Sequence, residues 1–205
     1  MRPRVLFVLG PPGVGKTTLV RGLMDFDTLL AKDVTLTPKL KWTVTPNVLA
    51  AGHYTGDTFD GADTVGYNMA NATLDYWHEN FFDKPLTILD GDRFSHAKVV
   101  EKLRAWGREP EGLLLEADGR WLAQRRAARG SKQNEIWVRG RTTKARNFAR
   151  FINAHTIDTS DYTPAGVLLV ARCKLNPPAP EPVLGPAPDE SSMETDPFCR
   201  CPYGA

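Results

Sequence analysis

Apolar residues recur along the chain in two alternating rhythms. Val5 to Leu9 is a short, unbroken apolar run rich in strand formers that stops at Gly10, the pattern of a buried strand. Past a Gly/Pro cluster, Leu19, Val20, Leu23 and Met24 fall at helical spacing, which predicts a helix from near Lys16 to about Asp25–Asp27. From Val34 to Tyr54 the residues turn β-branched and aromatic, and Pro46-Asn47 interrupts them, which predicts a β-hairpin turning there. A polar, Gly-punctuated loop covers Gly52 to Gly66, and Leu74, Trp77 and Phe81 then share a helical face. Leu86 to Asp90 reads as a second buried strand, Val99, Val100 and Leu103 as a helix, and Leu113 to Leu115 as a third strand. After a basic helical stretch, Thr156 to Asp158 predicts a short strand. Thr163-Pro164 then supplies an N-cap and a first-turn proline for a helix to about Leu175.

This alternation predicts an α/β fold in three layers, α/β/α, around a mainly parallel sheet with a β-hairpin insertion. A chain of 205 residues, 41% hydrophobic, suits one packed domain, expected over residues 1–175. Six prolines between Pro177 and Pro188, with few large apolar residues, predict a disordered tail over 176–205. No run approaches the roughly 18 apolar residues of a membrane helix, and Met1-Arg2-Pro3-Arg4 leads into a strand. A soluble, cytoplasmic protein without a membrane partner is expected, its oligomeric state unspecified. Cys173, Cys199 and Cys201 are expected to be reduced thiols, with no metal site at the Cys199/Cys201 pair.

Gly10-Pro11-Pro12-Gly13-Val14-Gly15-Lys16-Thr17 matches G-x-x-x-x-G-K-[ST] in full, between a predicted strand and helix. The glycines let backbone N–H groups turn toward phosphate oxygens, and the helix N-terminus favours an anion. Lys16 then reaches the β/γ-phosphates, Thr17 is a magnesium ligand, and Thr18 completes the loop's nucleotide contacts. Such a loop needs an acid at the end of a neighbouring buried strand. Asp90 fills that place as the second magnesium residue, and Asp92 and Arg93 face the crevice beyond it. The fold class sharpens to that of P-loop NTPases, with ATP and Mg2+ as the expected cofactors.

The formal net charge of +2 says little, but its distribution does. From Arg120 to Arg150 Glu135 is the only acid among many Lys and Arg. Phosphoryl transfer needs positive charge that closes over the migrating group, so residues 120–150 read as an Arg-rich lid, against the alternative of a solvated helical face. Arg126, Arg139 and Arg141 are its candidates for phosphate contact. The loop holding His53, Tyr54, Asp57, Phe59, Asp60, Asp63, Tyr67 and Asn68 suits a planar, hydrogen-bonding acceptor. Tyr54 or Phe59 is a candidate base-stacking residue, and Asp57, Asp60 or Asp63 a candidate base for an acceptor hydroxyl; ordinary Asp/Gly turn chemistry is the competing reading. His53 is given no catalytic role.

The P-loop, the Asp90-Gly91-Asp92-Arg93 strand end, the Arg-rich lid and Thr156 to Ser160 together resemble the nucleoside and nucleotide kinase group over residues 4 to 175. That resemblance places Arg93 at the acceptor and Asp158-Thr159 beside adenine. More narrowly, Ala51 to Tyr54 with Thr58 to Val65, and Lys132 to Glu135 with Gly140-Arg141, look like bacteriophage hydroxymethyluracil DNA kinases. Those enzymes are similar to thymidylate kinases but phosphorylate the hydroxymethyl group of the modified base within phage DNA, which prepares it for substitution that blocks host nucleases. The resemblance implies modified DNA as acceptor, its backbone met by the basic segment and its target base flipped out. It also implies that Asp92-Arg93 binds acceptor phosphate or orients the acceptor, while Asp60 and Asp63 remain candidates from the loop's own composition. The hairpin near Trp42 and the absence of an acid from Gly13-Val14-Gly15 depart from thymidylate kinases. Two other readings stay open: a kinase of a free nucleoside, nucleotide or other small molecule, and a switch that hydrolyses nucleotide without transfer.

Overall fold

A computed structural model describes residues 3–24, 31–37, 40–55, 61–66, 68–81 and 83–176. In chain order the elements are β1 (Arg4–Leu9), α1 (Lys16–Leu23), β2 (Lys32–Thr37), β3 (Leu40–Val44), β4 (Val48–Ala51), α2 (Ala70–Asn80), β5 (Leu86–Asp90), α3 (Ala97–Ala105), β6 (Pro110–Glu116), α4 (Gly119–Ala128), α5 (Glu135–Phe151), β7 (His155–Asp158) and α6 (Pro164–Leu175). The strands form a sheet ordered β2-β3-β4-β5-β1-β6-β7. Every pair from β4 to β7 is parallel, whereas β2 and β3 run antiparallel.

Alternation along β1 decides the layers, because successive strand side chains point to opposite faces. Val5, Phe7 and Leu9 join the core beneath α2, α3 and α5, which includes Leu74, Trp77, Leu103 and Phe148. Leu6 and Val8 join the core beneath α1, α4 and α6, with Leu19, Val20, Leu122, Val167 and Ala171. A strand buried on both faces is largely apolar, which is why Val5 to Leu9 of β1 reads as an unbroken apolar run, while β5 carries the buried Thr87 between Leu86 and Ile88.

The predicted hairpin is present as β3 and β4, closed at Thr45, whose N–H donates to Val48 O at 2.8 Å. It is more than an insertion, since β4 pairs in parallel with β5, and Val34 lies in a further strand, β2, against β3. A period of two reveals strands but not their partners, so the sheet membership of β4 was not in the pattern. The helix after the phosphate loop ends at Leu23, and Asp25–Asp27 lie outside the described residues. The last helix starts as read: the Thr163 side chain accepts from Gly166 N, with Pro164 in the first turn. The Pro-rich segment beyond Asn176, with Cys199 and Cys201, is outside the described residues. Among the described residues, no helix is long and apolar enough to cross a membrane.

Trp77 is fully buried and stands against Trp106, ring centroids 5.9 Å apart. Trp77→Ala should cost about 3–5 kcal/mol, whereas Leu169→Ala, at an exposed α6 position, should stay within about 0.5 kcal/mol. Urea unfolding midpoints check the pair, and equal losses would contradict this assignment of the core.

Candidate active site

The site lies where β1 and β5 end side by side. Val8 pairs with Asp90, and Gly91 N donates to Val8 O at 3.0 Å, so the chain leaving β1 and the carboxylate ending β5 share one crevice. At Gly10 the loop passes so close to β6 that a Cβ would stand 2.5 Å from Leu115 O; only glycine fits. The loop then opens α1 at Gly15, and Lys16 folds back to donate to Gly10 O at 3.0 Å and Pro11 O at 3.1 Å. Burial pushes the Lys16 ammonium below its ordinary value, and the Asp90 charge opposes that shift.

Asp90 is buried at the strand end. Tyr54, also buried, donates its hydroxyl to Asp90 Oδ2 at 3.1 Å, while Asp90 Oδ1 has no hydrogen-bond partner among the described residues. Burial, with a smaller contribution from the Asp63 charge, raises the Asp90 carboxyl to about 6 against the pull of Lys16 and the Tyr54 hydroxyl. The same burial and the facing Asp90 raise the Tyr54 phenol well above its ordinary value, so it remains a neutral donor. Tyr54 is therefore no stacking residue: its ring is enclosed in the core under α1, and its polar end aims Asp90.

Gly61 closes the crevice. His53 and Gly61 exchange backbone hydrogen bonds of 3.1 and 2.9 Å, and a Cβ on Gly61 would stand 3.0 Å from Thr17 Oγ1 and 3.5 Å from Asp90 Oδ2. The Thr17 hydroxyl and the Asp90 carboxylate thus converge on a space that a larger residue would fill. The Asp90 carboxylate, with Oδ2 beside that space, and the Thr17 hydroxyl are hard oxygen donors, the set that suits Mg2+ bound partly through phosphates and water.

Two cavities flank the phosphate loop. The first, about 350 Å3, is lined on one side by Gly10, Pro12, Gly13, Gly15, Lys16 and Thr17. Across it stand Asp63, Asp90, Asp92, Arg93, Arg126, Arg129, Trp137 and Arg141. The second, also about 350 Å3, is more apolar and lies between Val14, Thr18 and Leu19 and the side chains of Arg125, Tyr162 and Val167. Its shape and lining suit a nucleobase. Arg125 spans its rim, donating to Val14 O at 3.5 Å and to Thr159 Oγ1 and O at 3.4 Å. Asp158 lies in β7, immediately before Thr159.

The basic segment forms α4 and α5, which an Arg126–Glu135 pair of 3.5 Å links. Arg126 and Arg141 line the phosphate-end cavity; Arg139 is exposed and does not. Arg129, which no sequence argument favoured over its neighbours, lines both cavities. Asp92 is ion-paired with Arg141 and accepts at its backbone oxygen from Lys144 Nζ at 2.9 Å. Arg93 donates to Asp63 O at 3.1 Å, and the Asp63 carboxylate is 93% exposed. Asp92, Arg93, Arg141 and Lys144 continue into an open cleft of about 600 Å3 with Asn68, Asn71 and His96. Asp57, Phe59, Asp60 and Tyr67 lie outside the described residues. His53 pairs with Asp33 at 2.9 Å, away from the phosphate loop's lining.

A glycine-rich cradle at a helix N-terminus, facing a buried strand-end carboxylate in a parallel sheet, defines a P-loop nucleotide-binding protein. The chain belongs to the family described as P-loop Nucleotide Kinase3, whose sequence profile matches residues 1–162. No curated protein matches the chain. Membership makes it a phosphotransferase of the nucleotide kinase kind, a class that generally uses a nucleoside triphosphate with Mg2+.

Holding Asp90 ionised opposes the fold. With a folded value of about 6 against 3.8, the native state keeps a proton between those limits that the unfolded chain has lost. Stability therefore falls as pH rises through that window, and at pH 8 the ionised group costs on the order of 3 kcal/mol. Asp90→Asn should raise the melting temperature of the nucleotide-free protein at pH 8 by several degrees while turnover falls at least about 100-fold. The melting gain should vanish near pH 4; a lower melting temperature at pH 8 would contradict the account.

Proposed function

We propose that the protein transfers the γ-phosphate of ATP to the hydroxymethyl group of 5-hydroxymethyl-deoxyuridine within phage DNA, a step in hypermodification of the base. The observation that carries the reading is the open, polar cleft at the phosphate end, bordered by Arg93, His96, Arg141 and Lys144 and by the amides Asn68 and Asn71. An acceptor carried on a polymer needs an entrance that stays open, cations for its phosphates and amides for a base edge. The strings Ala51 to Tyr54 and Lys132 to Arg141, similar to those of hydroxymethyluracil DNA kinases, support the same acceptor.

In this reading adenine occupies the cavity at Tyr162 and Val167, and the triphosphate lies along Gly10 to Thr18. Thr17 and Asp90 would hold Mg2+, which supplies charge neutralisation on the phosphates. Lys16, Arg126, Arg129 and Arg141 set positive charge around the migrating group, where charge develops in the transition state. Arg93 orients the acceptor. One carboxylate of Asp60, Asp63 and Asp92 takes the hydroxyl proton as the acceptor oxygen bonds the γ-phosphorus and the bond from that phosphorus to the β-bridging oxygen breaks. Asp92 sits in the cleft but shares its charge with Arg141, and Asp63 is reached through Arg93. Arg139, on the exposed face of α5, is left for DNA backbone contact.

Incubation with γ-labelled ATP, Mg2+ and either hydroxymethyluracil-containing DNA or matched thymine DNA, followed by digestion to nucleosides, tests this. Label on the hydroxymethyl group alone is expected, and Lys16→Ala should lower it by at least about 1,000-fold. Label only on added free nucleotides would replace the polymer acceptor with a monomer. Phosphate release without label on either would indicate a hydrolysing switch.

A further inference from the structure

The two cores account for the largest aromatic side chains, such as Trp42, Trp77, Phe7 and Phe94, all fully buried. Trp137 belongs to neither core. It is 37% exposed and lines the phosphate-end cavity with Gln133 and Arg141. Its position is fixed locally: Asn134 Oδ1 accepts from Trp137 N at 2.8 Å, and the adjacent Val138 is buried. One turn on, the Arg141 guanidinium lies 5.0 Å from the indole centroid, and the same guanidinium pairs with Asp92. Among the described residues lining the phosphate-end cavity and the open cleft, Trp137 is the only Trp, Tyr or Phe, and His96 of the cleft is the one other ring. Tyr162 stands in the separate cavity on the far side of the phosphate loop.

We infer that Trp137 is the stacking platform for the acceptor's nucleobase, and so the residue that selects a planar, base-bearing acceptor; this rests on the reading above, that the acceptor is a base in a nucleic-acid strand. A flipped base loses its neighbours in the stack, and an aromatic face at the site replaces them without needing a base-edge code. The indole offers such a face beside Asp92 and Arg93, where the reacting hydroxyl must arrive. Arg141 above the ring adds a cation to the stack. Gln133, lining the same cavity, brings an amide with donors and an acceptor to the edge of a base held there. The competing role is simpler: Trp137 holds Arg141 in place for transfer and never touches the acceptor. The two roles differ in which kinetic constant they move.

Steady-state labelling with single-stranded hydroxymethyluracil DNA, varying DNA and ATP separately, compares the native protein with Trp137→Phe and Trp137→Leu, all checked by thermal melting. Trp137→Leu should raise KM for DNA roughly 10- to 100-fold, Trp137→Phe no more than about threefold, and neither should change KM for ATP. A Trp137→Leu protein with unchanged KM for DNA and a lowered kcat would overturn the inference in favour of the Arg141-positioning role while leaving the DNA acceptor intact. If the native protein labels only free nucleotides, the DNA reading fails separately. The same KM comparison on the monomer then decides the stacking, an unchanged value overturning it. As an independent readout on folded protein, acceptor DNA should quench the native tryptophan fluorescence more than that of Trp137→Phe; equal quenching would count against the platform.

Discussion

The site depends on keeping a carboxylate charged where its surroundings favour the neutral acid. Asp90 ends a strand buried on both faces, and burial, aided by the Asp63 charge, raises it to about 6 even against the pull of Lys16 and the Tyr54 hydroxyl. Lys16, half-buried and pushed down, faces it, and the Tyr54 hydroxyl fixes one of its oxygens, while the other has no partner among the described residues. A polar atom left unsatisfied inside a protein is expensive, and a site that stores such a cost is one that a ligand repays. The parallel sheet puts Asp90 beside the phosphate loop by register, the loop puts Lys16 and Thr17 across from it, and the Gly61 segment keeps the space between them open.

The same geometry divides the site into two ends. On one side of the loop, Val14, Leu19, Tyr162 and Val167 make a cavity that suits a base. On the other, arginines from α4 and α5 meet Asp92 and Arg93 at an open cleft. Arg129 lines both cavities, and Arg126 pairs with Glu135 across the two helices. Three cations of the basic segment, Arg126, Arg129 and Arg141, thus border the cavity at the phosphate loop, whereas Arg139 is exposed outside its lining.

Much of this was legible because chemistry and period coincide in sequence. The phosphate loop is contiguous, so eight consecutive residues declared both its fold and its ligand. Asp90 could be found because a buried strand must end in a charge for this chemistry, and Thr163-Pro164 because capping is local. What was not legible is what sheet pairing brings together. Tyr54 is 36 residues from Asp90, and in sequence its aromatic ring looked equally suited to stacking; only the pairing of β4 with β5 turns its hydroxyl onto the carboxylate. Trp137 sits within a basic run whose pattern marks charge rather than a ring, and Tyr162 precedes a helix cap that gives no sign of a cavity. The arginines are alike in sequence and are separated only by the helical face each occupies.

The most direct test of this account is the titration of the Asp90 carboxyl by carbon-13 NMR on selectively labelled protein, without and with Mg2+ and a non-hydrolysable ATP analogue. A midpoint near 6 in the free protein, falling by at least about one unit when both are bound, is the predicted result. An ordinary carboxylate midpoint that ignores both would contradict it.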